Sequence, residues 1–192
     1  MRLFVACDFS PGTLTKVSAF AQDLRASLGG VPIRWVSAEL YHLTLQFLGE
    51  VPENKLGAIE TSLASVAKRH RKIPAELAGA GCFPSLKQPQ VVWVGLRPNP
   101  ALNRLTQDLR AALGTLGFAD ENRFKAHLTL GRLDKYSSEE QKARVTAQVE
   151  VVKDFVIGPD EFAEIVLYRS VLYPRGPVYT TLYRARLESM LN

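Results

Sequence analysis

The tetrapeptide His42-Leu43-Thr44-Leu45 recurs in the same chain as His127-Leu128-Thr129-Leu130, and this duplication decides the predicted fold. The second copy begins 85 residues after the first, and a helix is predicted to follow each copy, from about residue 52 and from about residue 137. Two segments that agree in element order and in spacing indicate a pseudo-twofold pair of lobes, neither of which could cover its sheet alone.

Each half of the chain is predicted to run strand, helix, strand, helix, strand. Residue alternation predicts strands over 2–9, 33–36, 41–49, 73–82, 91–96, 126–133, 162–173 and 178–187. Ser10-Pro11 and Asn99-Pro100 are typical starts of helices, and Ser137 with Glu140 three residues later predicts a capping box for a helix that ends near residue 149.

The composition is that of one globular unit with a basic surface. At 192 residues, 46% hydrophobic and 22% charged, the chain is expected to fold as a single domain, 1–192. The net charge of +5 favours anionic partners such as nucleic acid. The apolar stretch near the N-terminus is interrupted by the charged Asp8, too early for a secretory signal, and no long apolar run follows. We therefore expect a cytoplasmic protein without a membrane span.

Side chains of a strand alternate between its two faces. Strict alternation along the first copy places His42, Thr44 and Gln46 on one face and the leucines, together with Phe47, on the other. The same rule gives the second copy a face that carries His127 and Thr129. We therefore predict that each lobe presents an imidazole with a hydroxyl one step further along the same face.

Two of the three histidines occupy the same position of the two repeats, which favours a shared catalytic role over two separate structural ones. A pseudo-twofold axis could bring both imidazoles into one cleft, where one would remove a proton and the other would deliver one. Phosphodiester hydrolysis needs such a pair, and the hydroxyls of Thr44 and Thr129 could hold the phosphate oxygens. A single histidine on such a strand would more often be structural.

The residue pattern does not favour a metal site or a cofactor. Zinc usually takes three protein ligands even at catalytic sites, and neither repeat has the spacing of a metal-binding motif. The two cysteines, Cys7 and Cys82, are expected to be buried and reduced. The chain has no phosphate-binding loop of the nucleotide-triphosphatase type. We therefore expect no metal and no cofactor.

Nearly the whole chain resembles the two-histidine phosphoesterase superfamily, and within it the bacterial and archaeal RNA 2′,3′-cyclic phosphodiesterases, also called 2′-5′ RNA ligases. The resemblance rests on the two His-x-Thr motifs and extends over these stretches: 2–6, 34–36, 42–50, 81–84, 91–95, 124–132 and 167–170, with Gly176 and Tyr179. Ala126 and Arg169 depart from residues that are frequent in the family, but neither change removes a group that the chemistry needs.

The resemblance implies an α+β fold of two lobes, each with a mainly antiparallel sheet and two helices, and an active-site cleft between them. It implies His42 as proton donor, His127 as proton acceptor, and Thr44 and Thr129 as phosphate ligands. Arg132 matches a family arginine, although strict alternation places it on the face opposite His127.

The implied activity is metal-independent hydrolysis of 2′,3′-cyclic phosphate ends of RNA, tRNA fragments among them, to a phosphomonoester, with the 2′-phosphate favoured. The chain would act as a monomer. Reversible 2′-5′ ligation in the same site and an RNA-end-binding module without turnover are the alternatives. Phe83, Trp93 and Tyr179 could stack on a nucleobase, although a core position is the more frequent role for such residues.

Overall fold

The computed structural model describes residues 1–119 and 124–189. Within these residues the helices are α1 (Pro11–Ser27), α2 (Leu56–Ala67), α3 (Pro100–Gly114) and α4 (Glu139–Val152), with short 3-10 helices at Ala38–Leu40 and Glu53–Lys55. The strands are β1 (Arg2–Cys7), β2 (Ile33–Trp35), β3 (Leu43–Glu50), β4 (Ile73–Ser85), β5 (Gln88–Leu96), β6 (His127–Leu133), β7 (Val156–Phe162), β8 (Glu164–Tyr173) and β9 (Gly176–Arg186). The predicted α+β class is confirmed.

Side chains that precede the helices fix where the helices begin. The Ser10 hydroxyl accepts a hydrogen bond from the Thr13 backbone N–H, and the Asn99 side chain caps α3 in the same way. The capping box of α4 lies one residue later than predicted, with Ser138 and Gln141 as the reciprocal pair. The predicted Ser137–Glu140 pair is therefore wrong, and Ser137 is buried before the helix.

The strands form two antiparallel sheets, one for each lobe. The first sheet has the order β3-β1-β8-β9 and the second the order β2-β6-β5-β4-β7. In the first lobe α2 packs on β8 and β9 while α3 contacts β3, and in the second α4 packs on β4 and β5 while α1 contacts β7. Each lobe thus has one antiparallel sheet and two helices, as expected.

The two sequence halves do not coincide with the two lobes. Strand β4 ends the first half but pairs with β5 in the second sheet, and β8 ends the second half but pairs with β1 in the first sheet. Helices α1 and α3 are exchanged in the same manner. A single apolar cluster, built from both halves, includes residues of both sheets.

The predicted strand over 162–173 corresponds to β8, Glu164–Tyr173, but the strand before it was not predicted. That strand, β7, covers Val156–Phe162 and pairs with β4 at the edge of the second sheet. Its exposed side chains, including Val156, and its Gly158 and Pro159 obscured its strand pattern in the sequence. In the described part of the chain no helix is both long and apolar enough to cross a membrane.

Candidate active site

The strand that carries the first tetrapeptide is not regular. Thr44 and Gln46 pair with consecutive residues of β1, so Leu45 is an extra residue that reverses the alternation of faces. Gln46 is 1% exposed, and its Nε2 donates to the Phe118 carbonyl at 2.7 Å. Phe47 is 68% exposed on the face of Thr44. The predictions that Gln46 shares the face of His42 and that Phe47 lies opposite are therefore wrong.

The second tetrapeptide has an irregularity at the equivalent position. Thr129 and Gly131 pair with consecutive residues of β5, which makes Leu130 the extra residue. The alternation then brings Arg132 to the face of His127, where burial and the neighbouring positive charges, that of Arg132 included, lower the pKa of His127. Burial raises the pKa of Tyr179, and the charge of Arg132 opposes this shift. The predicted placement of Arg132 on the opposite face is wrong, because strict alternation does not hold across a bulge.

Both catalytic candidates have one ring nitrogen engaged by the backbone. His42 Nδ1 donates to the Leu40 carbonyl at 2.7 Å, and His127 Nδ1 donates to the Lys125 carbonyl at 2.7 Å. Because a carbonyl oxygen can only accept, Nδ1 carries a proton in each ring and Nε2 is the nitrogen that gains or loses one. His42 Nε2 lies 3.0 Å from Thr44 Oγ1.

Aromatic rings pack around the His42 imidazole. The centroid of Phe4 lies 4.9 Å from that of His42, and Tyr179 meets His42 edge-on at 5.4 Å. Phe4 in turn contacts Phe47 at 6.0 Å and stacks on Tyr168 at 5.3 Å. This row of rings crosses the first sheet on the face of Thr44.

The His127 imidazole has a different environment. Phe83 meets it edge-on at 4.7 Å, and the Lys125 ammonium lies over both Phe83, at 5.1 Å, and Trp93, at 4.8 Å. A Cβ at Gly81 would overlap the Trp93 indole, so glycine is required there for the ring to lie flat on the sheet. Phe83, Trp93 and Tyr179 thus lie around the imidazoles and are only partly buried.

The two histidines differ in the charges around them. Burial lowers the pKa of both below the usual value for an imidazole. Asp8 raises the pKa of His42, whereas Lys125 and Arg132 lower that of His127 further. The neighbouring side-chain charges therefore act in opposite directions, Asp8 toward a protonated His42 and Lys125 with Arg132 toward a neutral His127.

The predicted site residues lie together. Strands β3 and β6 contact each other, and a charge on His127 lowers the pKa of His42. Thr44 and Thr129 are half-buried on the strand faces of their respective histidines. The third histidine, His70, is elsewhere and contacts Asp108 at 2.8 Å. Within the residues the structure describes, no three His, Cys, Asp or Glu side chains are grouped as metal ligands.

Comparison with known proteins agrees with this arrangement. The model of the LigT like Phosphoesterase family matches residues 9–93 and again residues 94–179. The chain belongs to the LigT-like phosphoesterases. Each matched segment contains one of the two His-x-Thr motifs.

Relatives of this LigT-like phosphoesterase cover almost its full length. An RNA 2′,3′-cyclic phosphodiesterase of Archaeoglobus fulgidus is 37% identical over 95% of this chain and 98% of its own length. One from Thermotoga maritima is 32% identical over 100% of this chain and 98% of its own. The crystal structure of TT0787 of Thermus thermophilus matches with a TM-score of 0.79 at 28% identity and covers 100% of both chains. These relatives support a cyclic phosphodiesterase activity for this chain.

Sequence reasoning missed one polar cluster beside the site of this LigT-like phosphoesterase. Asp8 follows β1, and its carboxylate accepts from the Tyr168 hydroxyl at 2.7 Å and from Arg184 Nη1 at 2.9 Å. Burial and Asp8 raise the pKa of Tyr168 to about 12, so this phenol keeps its proton. The pairing of β1 with β8 and of β8 with β9 brings these residues together, and the local sequence gives no signal for these pairings.

Proposed function

We propose that the chain hydrolyses 2′,3′-cyclic phosphate ends of RNA to 2′-phosphomonoesters without a metal ion, with His42 as general acid and His127 as general base. One observation carries the proposal. Two imidazoles, each with Nδ1 engaged by a carbonyl and Nε2 left for proton transfer, lie in surroundings of opposite charge. Groups whose environments separate their pKa values are suited to opposite roles.

The proton steps balance over one hydrolysis. His127 Nε2 takes a proton from water as the water oxygen attacks phosphorus, and His42 Nε2 donates its proton to the ribose O3′ as the phosphorus–O3′ bond breaks. The product carries a 2′-phosphate and a free 3′-hydroxyl. His42 must then regain a proton and His127 must lose one to solvent before the next turnover.

Thr44, Thr129 and Arg132 are the groups proposed to hold the phosphate. Their side chains share the strand faces of the two histidines, and the positive charge of Arg132 acts on His127 and on Tyr179 of the opposite lobe. Negative charge builds on the non-bridging oxygens during the displacement, and fixed donors that match it stabilise the transition state.

RNA is the proposed substrate class, with tRNA fragments as one source of ends. The names of the relatives support it, as does the net charge of +5. Exposed Phe47 offers a ring on which a base could stack beside His42. Because both histidines come from one chain and the halves exchange strands, we propose a monomer that folds as one domain. We also propose that it acts in the cytoplasm.

Ligation would use the same groups in the same roles, with a 5′-hydroxyl in place of water. His127 would take the proton of that hydroxyl as its oxygen attacks phosphorus, and His42 would protonate O3′ as the phosphorus–O3′ bond breaks, which leaves a 2′-5′ bond and a free 3′-hydroxyl. Water at its bulk concentration favours hydrolysis, so we propose ligation as a side activity. More ligated than hydrolysed product in a mixture of both RNA ends would reverse that order.

A defined oligonucleotide with a 2′,3′-cyclic phosphate end tests the proposal. EDTA-treated protein should convert it to a product with a terminal 2′-phosphate, identified by chromatography against 2′- and 3′-phosphate standards. Binding without any product after long incubation would favour an RNA-end-binding module instead. A 3′-phosphate product would contradict the assigned bond, and loss of activity with EDTA that added metal restores would contradict the metal-free mechanism.

A further inference from the structure

A large groove opens beside His42 and away from His127. It has a volume of about 1070 Å³. Ser37 and residues 39–42 line one side, residues 173–179, from the end of β8 to the start of β9, line the other, and Asp8, Phe9, Leu14 and Tyr168 complete the lining. His42 and Tyr179 line it, so the groove is continuous with the candidate active site, whereas His127 does not line it. Pockets of about 300–1,000 Å³ hold drug-sized ligands, so this volume exceeds what a cyclic phosphate needs.

The proposed proton transfer from His42 indicates that the RNA strand leaves the active site on the His42 side. Under the proposed function His42 protonates the ribose O3′, so the terminal ribose lies on the His42 side of the phosphorus. The rest of the RNA strand is attached to the 5′ oxygen of that same ribose. The strand must therefore leave the reacting phosphate on the side where the groove begins.

The groove carries side chains suited to single-stranded RNA. Tyr173 is 56% exposed at the turn, although a large aromatic ring is usually better buried. Arg175 is exposed in the same turn, and no acidic side chain of the described residues forms an ion pair with it. Glu39, on the opposite wall, and Asp8, which forms an ion pair with Arg184, are negative, so a phosphate in the groove is attracted only by Arg175 among its lining lysines and arginines. Aromatic rings that stack on bases and cations that contact the backbone together characterise single-strand binding sites.

We propose that this groove binds the nucleotide on the 5′ side of the cyclic-phosphate end, with its phosphate at Arg175 and its base against Tyr173. This assignment rests on the proposed function. It makes single-stranded RNA of at least two nucleotides, rather than a free cyclic mononucleotide, the preferred substrate class.

The test compares two ligands by calorimetric binding and, in parallel, by steady-state kinetics. A trinucleotide with a 2′-phosphate end should bind about tenfold more tightly than the matching nucleoside 2′-phosphate, since one stacked base typically contributes that much or more. The corresponding cyclic phosphates should show the same ratio in KM. Equal constants for the long and the short ligand would overturn the groove assignment.

Substitutions of two groove residues test whether the groove causes the tighter binding of the trinucleotide. Tyr173→Ser and Arg175→Gln should each weaken trinucleotide binding severalfold and leave the nucleoside 2′-phosphate unchanged. Arg175→Gln should also reduce the slope of log Kd against log salt by about 0.7, the value for one phosphate contact on a single strand. Tyr136→Ser and Arg25→Gln are matched controls at exposed sites outside the groove, and neither should change any constant.

The outcomes separate this inference from the proposed function. If the groove variants weaken both ligands equally, or the controls act like the groove variants, the groove assignment is wrong even where hydrolysis proceeds. If the trinucleotide binds more tightly through Tyr173 and Arg175 but neither cyclic phosphate is hydrolysed, the groove assignment stands and the proposed function fails.

Discussion

Phe47 and Arg132 occupy the equivalent position of the two repeats. Each lies five residues after its histidine, and in each strand the intervening bulge brings the side chain to the face of the threonine. The pseudo-symmetric site thus has an exposed aromatic ring on the His42 side and a cation on the His127 side. This asymmetry matches a substrate whose base and phosphate need different partners.

Arg132→Gln should lower kcat/KM by about 10²-fold, because removal of one fixed donor to the developing charge typically has an effect of this size. The same change removes a positive charge that lowers the pKa of His127. Arg132→Lys keeps the charge but loses the planar donor geometry, so it should retain more activity than Gln. Equal activity of the wild type and Arg132→Gln would place Arg132 outside the phosphate site.

Asp8→Asn and Lys125→Gln should move opposite limbs of the pH profile of kcat/KM. The active form needs His42 protonated and His127 neutral. Burial lowers the pKa of both, Asp8 acts to raise that of His42, and Lys125 and Arg132 lower that of His127 further. Loss of the Asp8 charge lowers the pKa of His42, so the alkaline limb moves to lower pH. Loss of the Lys125 charge raises the pKa of His127, so the acid limb moves to higher pH. Movement of both limbs in the same direction by either variant would contradict the assigned roles.

Gln46→Ala should destabilise the fold by about 1–3 kcal/mol, because it removes the donor to the half-buried Phe118 carbonyl and leaves a cavity in place of the buried Gln46 side chain. Its turnover per folded molecule should equal that of the wild type. The matched change Thr44→Val, two residues earlier on the catalytic face, should reduce turnover with little effect on stability. Urea unfolding and kinetics on the same preparations measure both quantities. Loss of turnover in Gln46→Ala, together with loss of stability in Thr44→Val, would contradict the placement of Gln46 in the core and of Thr44 on the catalytic face.

The bulges explain most of what the sequence could not predict at the site. Local patterns predicted the helix starts at Ser10 and Asn99 and most strands correctly, while the catalytic roles of the histidines and threonines stay predictions. The face of Gln46, Phe47 and Arg132 depended on an extra residue at Leu45 and Leu130, which alternation cannot reveal. The Asp8–Tyr168 contact depends on the pairing of β1 with β8, strands from opposite ends of the chain.

The exchange of strands between the halves should make unfolding a single transition. Each sheet contains strands from both halves, so neither half of the sequence can unfold without removing strands from both sheets, and one apolar cluster joins the two sheets. Trp35 and Trp93 both belong to the second sheet, and their fluorescence reports that lobe alone. Far-ultraviolet circular dichroism reports both lobes, and its urea midpoint should coincide with that of the fluorescence. Separated midpoints would indicate two independent domains.

The pH dependence of kcat/KM for His42→Ala and His127→Ala, on an oligonucleotide with a 2′,3′-cyclic phosphate end, addresses the paired imidazoles most directly. Each variant should lose about 10²-fold or more in rate, the usual contribution of one general acid or base. His42→Ala should also lose the alkaline limb and His127→Ala the acid limb. Wild-type-like turnover in either variant, or a bell-shaped profile that persists in both, would contradict acid–base catalysis by this pair.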